Sequence, residues 1–254
     1  MISLGLVLSL LIACVLSSPK LHQRSEICGR LTRLTTHSSK VRYKHQNLTI
    51  VILTQGIDPF LGDIDYGQPG ITFTADYGDD SLRWFMVYQN AIDFKPYRAM
   101  KIPSNTTVFI DLAATCHTFS GRLVRGADMD FNGEAHNLGT WAEVNWGNYP
   151  LAYGGVSVIE GNDGPIQFQS EDTNTPVMGF AHDIISAAPK RCREIKDSGS
   201  VALKPTDKNG YDEATRDYTK QVLRAEDVSI DKSSTATVMS HNGRFRIRFL
   251  HGNH

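Results

Sequence analysis

The residues best suited to chemistry are two glutamates, Glu143 and Glu160. Hydrolysis of a glycosidic bond needs two carboxyl groups across that bond, about 5–5.5 Å apart for retention of configuration and about 6.5–9.5 Å apart for inversion. One carboxyl must stay protonated while the other is ionised. The two glutamates can meet this geometry if the strands that carry them pair. Asp163 and Asp183 are further acids that can line the same cleft.

The segment around Glu143 also predicts a carbohydrate contact. In a β-strand over 139–146, Trp141, Glu143 and Asn145 share one face. The aromatic ring offers a sugar an apolar platform, while the carboxylate and the amide can hydrogen-bond to its hydroxyl groups. An ordinary half-buried strand with polar outward residues gives the same alternation, so from the residues alone both interpretations stay open.

The elements that must position these side chains are short strands separated by Gly, Asp, Asn and Pro. They are predicted at 47–54, 71–75, 82–88, 106–112, 121–125, 139–146, 156–160, 166–170 and 244–249. This pattern, without strand–helix alternation, predicts a mainly β fold, an antiparallel β-sandwich with a small helical and loop excursion near 185–232. Within the excursion one amphipathic helix is predicted over 211–227.

The N-terminal sequence predicts a secreted, extracellular protein. An apolar run at 2–16 is shorter than a membrane span and is followed at once by polar residues, which is typical of a signal peptide cleaved after Ser17. We therefore expect a signal peptide at 1–17, a loose arm or propeptide at 18–40 and a single β-sandwich domain at 41–254. Asn47 and Asn105 each begin an Asn-X-Thr triplet and are candidate glycosylation sites.

The cysteines fit an oxidising compartment, because Cys14 leaves with the signal peptide and an odd number remains. One disulfide and one free or intermolecular thiol are expected, and the sequence does not indicate the pair. The candidates are Cys28, Cys116 and Cys192. A nucleophilic role for Cys116 beside His117 is the less favoured interpretation, since sequence neighbours point to opposite faces of a strand.

Composition excludes several classes of protein. The chain has 26 basic and 27 acidic residues, so electrostatics give no case for a nucleic-acid partner. Its 41% apolar and 21% charged residues exclude a disordered chain or a coiled coil. No phosphate-binding loop, dinucleotide fingerprint or clustered metal ligands occur, and we expect no cofactor and no metal.

A row of arginines on the last strand predicts a charged sheet edge or, less favoured, an anionic-glycan site. The row is Arg244, Arg246 and Arg248.

Two segments resemble a known family. Residues 139–146 are GTWAEVNW and residues 153–166 are YGGVSVIEGNDGPI. The pair is similar to the stretch of thaumatin-like proteins in which a strand ending in Ala-Glu-Phe precedes Tyr-Asp-Val-Ser-Leu-Val-Asp-Gly-Phe-Asn-Leu-Pro. The resemblance covers roughly 45–185.

The resemblance implies a thaumatin-like sandwich with an acidic cleft that binds cell-wall polysaccharide, a β-glucan. In related β-1,3-glucanases of this fold an acidic pair is catalytic, and the matching positions are Glu143 and Glu160. Two positions depart from the pattern: Gly155 replaces an acid of the family, and Asn162 replaces a phenylalanine. The resemblance therefore favours a binding protein. A weak endo-β-1,3-glucanase and a secreted non-enzymatic interaction or effector protein are the alternatives.

Overall fold

The computed structural model describes residues 62–79, 82–89, 98–112, 119–126, 138–148, 151–172, 174, 176–207, 212–234 and 236–253. The expected signal peptide, the arm at 18–40 and the strand at 47–54 lie outside these described residues. So do Cys28, Asn47, Cys116 and His117.

Strands are the main regular element of the described chain. They are β1 (Gly70–Ala75), β2 (Leu82–Tyr88), β3 (Arg98–Pro103), β4 (Thr106–Asp111), β5 (Phe119–Arg125), β6 (Trp141–Asn148), β7 (Leu151–Ser157), β8 (Ile166–Ser170), β9 (Met178–Gly179), β10 (Arg193–Ile195), β11 (Val201–Leu203), β12 (Val238–Ser240) and β13 (Arg244–Phe249). One sheet has the order β4-β1-β13-β8-β9, a second has the order β12-β7-β6-β5-β2-β3, and β10 pairs with β11.

The two large sheets pack face to face around one core. Phe73 of β1 and Phe85 of β2 belong to different sheets, yet their ring centroids are 5.2 Å apart. The ring centroid of Phe85 also lies 5.0 Å from that of Phe249 of β13. Inward side chains alternate with outward polar ones along β13 and β6, as two half-solvated sheets require. The predicted mainly β, sandwich-like fold is confirmed.

The pairing is antiparallel except between β1 and β13, which run parallel in the register Gly70↔Arg244 to Ala75↔Phe249. Parallel neighbours need a long connection, and here almost the whole described chain lies between the two strands. The interpretation of the arginine row as a sheet edge is therefore wrong. β13 is the central strand of its sheet, flanked by β1 and β8.

The predicted excursion contains a helix, α1 (Glu213–Val222), together with the β10–β11 hairpin. The helix is shorter than the predicted 211–227. Asp212 caps its first turn by accepting a hydrogen bond from the amide of Thr215, and Leu223 adopts an extended conformation that ends it. Cys192 lies before this helix, buried and with a free thiol. Within the described chain no helix is long and apolar enough to cross a membrane.

Candidate functional site

Strand β6 carries the predicted face, and its alternation is as expected. Glu143 and Asn145 are exposed on the outer face of the six-stranded sheet, whereas Val144 and Trp146 are buried in the core between the sheets. Because inward residues of β6 are large and apolar, the register of the strand is strongly fixed. The two polar side chains therefore have a defined position.

Neighbouring strands complete a row of polar and aromatic groups around Asn145. Ser120 of β5 and Tyr153 of β7 pair with it on either side, and Met239 of β12 pairs with Tyr153. Tyr153 is 42% exposed. Ser120, Asn145 and Tyr153 lie beside Glu143 in an open cavity of about 290 Å³. Its lining residues are Ser120, Gly121, Glu143, Val144, Asn145, Tyr153, Gly154, Gly155, Ser229, Ala236 and Thr237.

Gly155, the cross-strand partner of Glu143, leaves room for the wall of this cavity. A Cβ atom at Gly155 would lie 2.4 Å from the carbonyl oxygen of Ala236, closer than real Cβ contacts. Only a glycine therefore allows the segment around Ala236 to pass so near to β7. The thaumatin-like pattern has an acidic residue at position 155. In this chain the backbone of the segment around Ala236 occupies the space that such a side chain would need.

Arg122 lies on the other side of Glu143, across the β5–β6 pair. Its guanidinium is stacked between the rings of Tyr88 and Trp141, with its carbon 4.2 Å from each ring centroid. Burial lowers the pKa of Arg122, and the charges of nearby acidic groups, Glu143 and Glu160 among them, oppose that shift. Such a cation between two rings gains cation–π attraction that is strengthened by its desolvation.

This stacking covers Trp141, which is only 6% exposed. Among the residues that line the cavity, the aromatic ring exposed to solvent is therefore that of Tyr153. Sequence reasoning missed Tyr153 because the strand was predicted over 156–160, whereas β7 runs from Leu151 to Ser157. The pairing of Tyr153 with Asn145 also depends on a one-residue register shift between Asn145 and Asn148, which the start of the strand alone does not predict.

Glu160 is buried beyond the end of β7, and its carbonyl accepts a hydrogen bond from the amide of Leu138 at 2.6 Å. Leu138 lies five positions before Glu143 and outside β6, with a φ of 62°, so strand rise sets roughly 16 Å as an upper limit on the backbone separation of the two glutamates along the sheet. Hydrolytic pairs hold their carboxyls within about 9.5 Å. The charges of both glutamates act to raise the pKa of Arg122, but Glu143 lines the open cavity and Glu160 does not, which favours separate roles over a hydrolytic pair.

Asp163 is far from solvent and belongs to a buried ionic cluster. Its carboxylate lies 3.1 Å from the ammonium of Lys196 and 3.7 Å from Nε of Arg125, with all three side chains fully buried. It also accepts a hydrogen bond from the amide of Thr140 at 3.0 Å. Asp163 thus stabilises the fold and is not among the residues that line the cavity.

Asp183 is exposed but lies in a turn outside the cavity. Its carboxylate accepts hydrogen bonds from the amides of Ile185, at 2.7 Å, and Ser186, and from the Ser186 hydroxyl. Partial burial acts to raise the pKa of Asp183, and these hydrogen bonds outweigh it and lower the pKa. The structure therefore brings Glu143 and Asn145 together with Tyr153, and it leaves Asp163 and Asp183 elsewhere.

The remaining predicted groups have other surroundings. Among the residues that the structure describes, no three His, Cys, Asp or Glu side chains cluster as metal ligands would. The arginine row of β13 faces carboxylates: Arg244 pairs with Asp65, and Arg248 with Asp76. Arg246 lies 3.5 Å from Glu171. The positive charge of this row is therefore balanced by carboxylates.

No protein-family model and no curated protein matches the sequence. Among solved structures, the chain is similar to a laminaripentaose-producing β-1,3-glucanase in complex with laminaritetraose, with a TM-score of 0.36 and 12% identity. The match covers 54% of this chain and 52% of that one, so the chain spans about half the length of the glucanase. Membership of the thaumatin-like family stays a prediction.

Proposed function

We propose that the chain is a secreted, thaumatin-like protein that binds a cell-wall polysaccharide, a β-glucan, on the outer face of its six-stranded sheet. One observation carries the proposal: Glu143, Asn145 and Tyr153 line the same open cavity of about 290 Å³. Fixed strands present all three side chains, which limits the entropy lost when a ligand binds.

The chemistry of these groups suits a neutral sugar. The carboxylate of Glu143 accepts hydrogen bonds from hydroxyl groups, and the amide of Asn145 both donates and accepts them. Tyr153 adds an exposed ring on which the apolar face of a pyranose can lie. The cavity is open and its volume is at the low end for ligand pockets, which fits a short stretch of an extended chain.

Binding is favoured over hydrolysis because no second carboxyl lines the cavity among the residues that the structure describes. Glu160 is buried and is not among the residues that line the cavity. The nearer position, Gly155, has no side chain and no space for one. Glu143 can contact a sugar hydroxyl, while the described lining offers no second carboxyl for hydrolysis.

The test is a pull-down of the purified protein with insoluble β-1,3-glucan, with released reducing ends measured in the same tubes. We choose this glucan because of the thaumatin-like resemblance. Wild type is expected in the pellet with no sugar released. Glu143→Gln and Tyr153→Ala are expected to weaken binding about tenfold, the effect of losing one charged hydrogen bond or one ring contact.

Two matched controls separate the cavity from general damage. Asp183→Asn changes an acid outside the cavity, and Tyr66→Ala removes a tyrosine that is 80% exposed elsewhere. Both should bind like wild type. Sugar release that disappears in Glu143→Gln would make the protein an enzyme. A protein that stays in the supernatant would contradict glucan binding and favour the interaction protein.

A further inference from the structure

Asn105 occupies the turn that joins the two large sheets. It follows β3, the last strand of the six-stranded sheet, and precedes β4, the last strand of the five-stranded sheet. Its side chain is exposed, and its backbone has a φ of 58°. The triplet Asn105-Thr106-Thr107 is thus displayed at a corner of the sandwich.

The turn is held by groups other than the Asn105 carboxamide. The amide of Asn105 donates to the carbonyl of Ala75 at 2.6 Å. The hydroxyl of Ser104 accepts hydrogen bonds from the amides of Tyr77 and Gly78, both at 3.1 Å. The carboxamide makes no hydrogen bond to any residue that the structure describes. Its nitrogen is therefore available without any loss of native contacts.

A purely conformational role would explain only part of this pattern. Asparagine tolerates a positive φ better than most residues, and this alone could account for Asn105. A hydroxyl residue two positions later is a separate requirement of the triplet, and Thr107 meets it. Thr107 is exposed at the start of the edge strand β4, and its hydroxyl lies 2.9 Å from that of Thr74. Both requirements of an acceptor triplet are met at one surface site.

We propose that Asn105 carries an N-linked glycan. The donor is an oligosaccharide linked to a polyprenyl diphosphate. A bond forms between Nδ2 of Asn105 and the anomeric carbon, the bond from that carbon to the diphosphate oxygen breaks, and Nδ2 loses one proton. The proposal rests on the secretion included in the proposed function, and it is independent of the cavity beside Glu143.

The position gives the glycan a physical consequence. Among the described strands, β3 and β4 each form one of the two edges of their sheets, and exposed edges invite pairing with other chains. A bulky hydrophilic group at the turn between them stands at the junction of both edges. The cavity lies on strands β5, β6 and β7, so this modification leaves the proposed ligand site open.

The experiment uses the full chain with Asn47→Gln, expressed in a eukaryotic secretory host, so that Asn105 is the acceptor under test. Intact mass is measured before and after peptide N-glycosidase F, and peptide mass reads the conversion of Asn105 to aspartate. We expect a mass shift that is lost in Asn105→Gln and in Thr107→Ala. It should persist in Thr107→Ser and Thr106→Ala, which both keep the triplet.

The outcomes separate this proposal from the proposed function. Protein found in the medium at the mass of the bare polypeptide would overturn the glycan and leave secretion intact. A mass shift that survives Thr107→Ala would also overturn it, since N-glycosylation needs the hydroxyl residue. Protein kept inside the cell without a glycan would overturn both secretion and this inference.

Discussion

Replacing Asp163 by asparagine should destabilise the protein more than any surface change. The carboxylate is the single anion among three fully buried ionic side chains, 3.1 Å from Lys196 and 3.7 Å from Arg125. An asparagine keeps the shape and can still accept the hydrogen bond from the amide of Thr140. It removes the negative charge, however, and turns a donor toward one of the two cations.

The magnitude follows from the cost of an unpaired buried charge. Breaking a buried ion pair by removing one partner costs about 3–5 kcal/mol. For a domain of this size about 1 kcal/mol lowers Tm by roughly 2–4 °C, so Asp163→Asn should lower Tm by about 6–20 °C. Lys196→Met should cost less, because Arg125 then still faces the carboxylate.

The assay is thermal unfolding followed by circular dichroism, with urea unfolding as a second measure. The matched control is Asp76→Asn, which removes the partner of Arg248, a side chain that is 53% exposed. Exposed ion pairs contribute about 0–1 kcal/mol, so this control should lower Tm by no more than about 4 °C. If Asp163→Asn unfolds at the same temperature as the control, the cluster does not stabilise the fold as argued.

Three further changes test other parts of the structure. Gly155→Ala should lower the free energy of unfolding by about 1–3 kcal/mol because its Cβ would meet the carbonyl of Ala236, and an unchanged urea midpoint would contradict that close approach. Asp212→Ala should cost about 0.5–2 kcal/mol through the lost helix cap, whereas Asp212→Asn, which can still cap, should cost little in the same urea titration. Hydrogen bonds outweigh burial and hold the pKa of Asp172 below its ordinary value, so its contribution to stability is present above about pH 4 and is lost as pH falls further. Measured as Tm against pH, Asp172→Asn should therefore show a shallower loss in acid than wild type, and parallel curves would refute this.

The buried and exposed faces of the strands could be predicted because the alternation of apolar and polar residues is visible within each short segment of sequence. In 244–249 every second residue is apolar, and Phe245, Ile247 and Phe249 are all buried. The same holds for β6, where Glu143 and Asn145 point outward. A strand that contains consecutive glycines, such as β7, weakens this signal, and its start at Leu151 was missed.

The neighbours of each strand could not be predicted in the same way. The parallel pairing of β13 with β1 joins segments from opposite ends of the described chain, and no local pattern encodes it. The surroundings of Trp141 depend on Arg122, and those of Asp163 depend on Lys196. The sequence alone does not distinguish an exposed aromatic ring from a buried one, or a free carboxylate from a paired one. That distinction depends on residues that are distant in the sequence.

Gly155 determines how closely another segment packs against β7, and this packing bears on whether the cavity favours binding or hydrolysis. Its missing side chain admits the carbonyl of Ala236 to within 2.4 Å of where a Cβ atom would be. The segment that enters there also supplies Ala236 and Thr237 to the wall of the cavity. An acidic side chain at this position would have to displace that segment and so remove the wall. A chain with this backbone approach can keep that wall or gain a carboxyl beside Glu143, but not both, and this supports the proposed binding over hydrolysis.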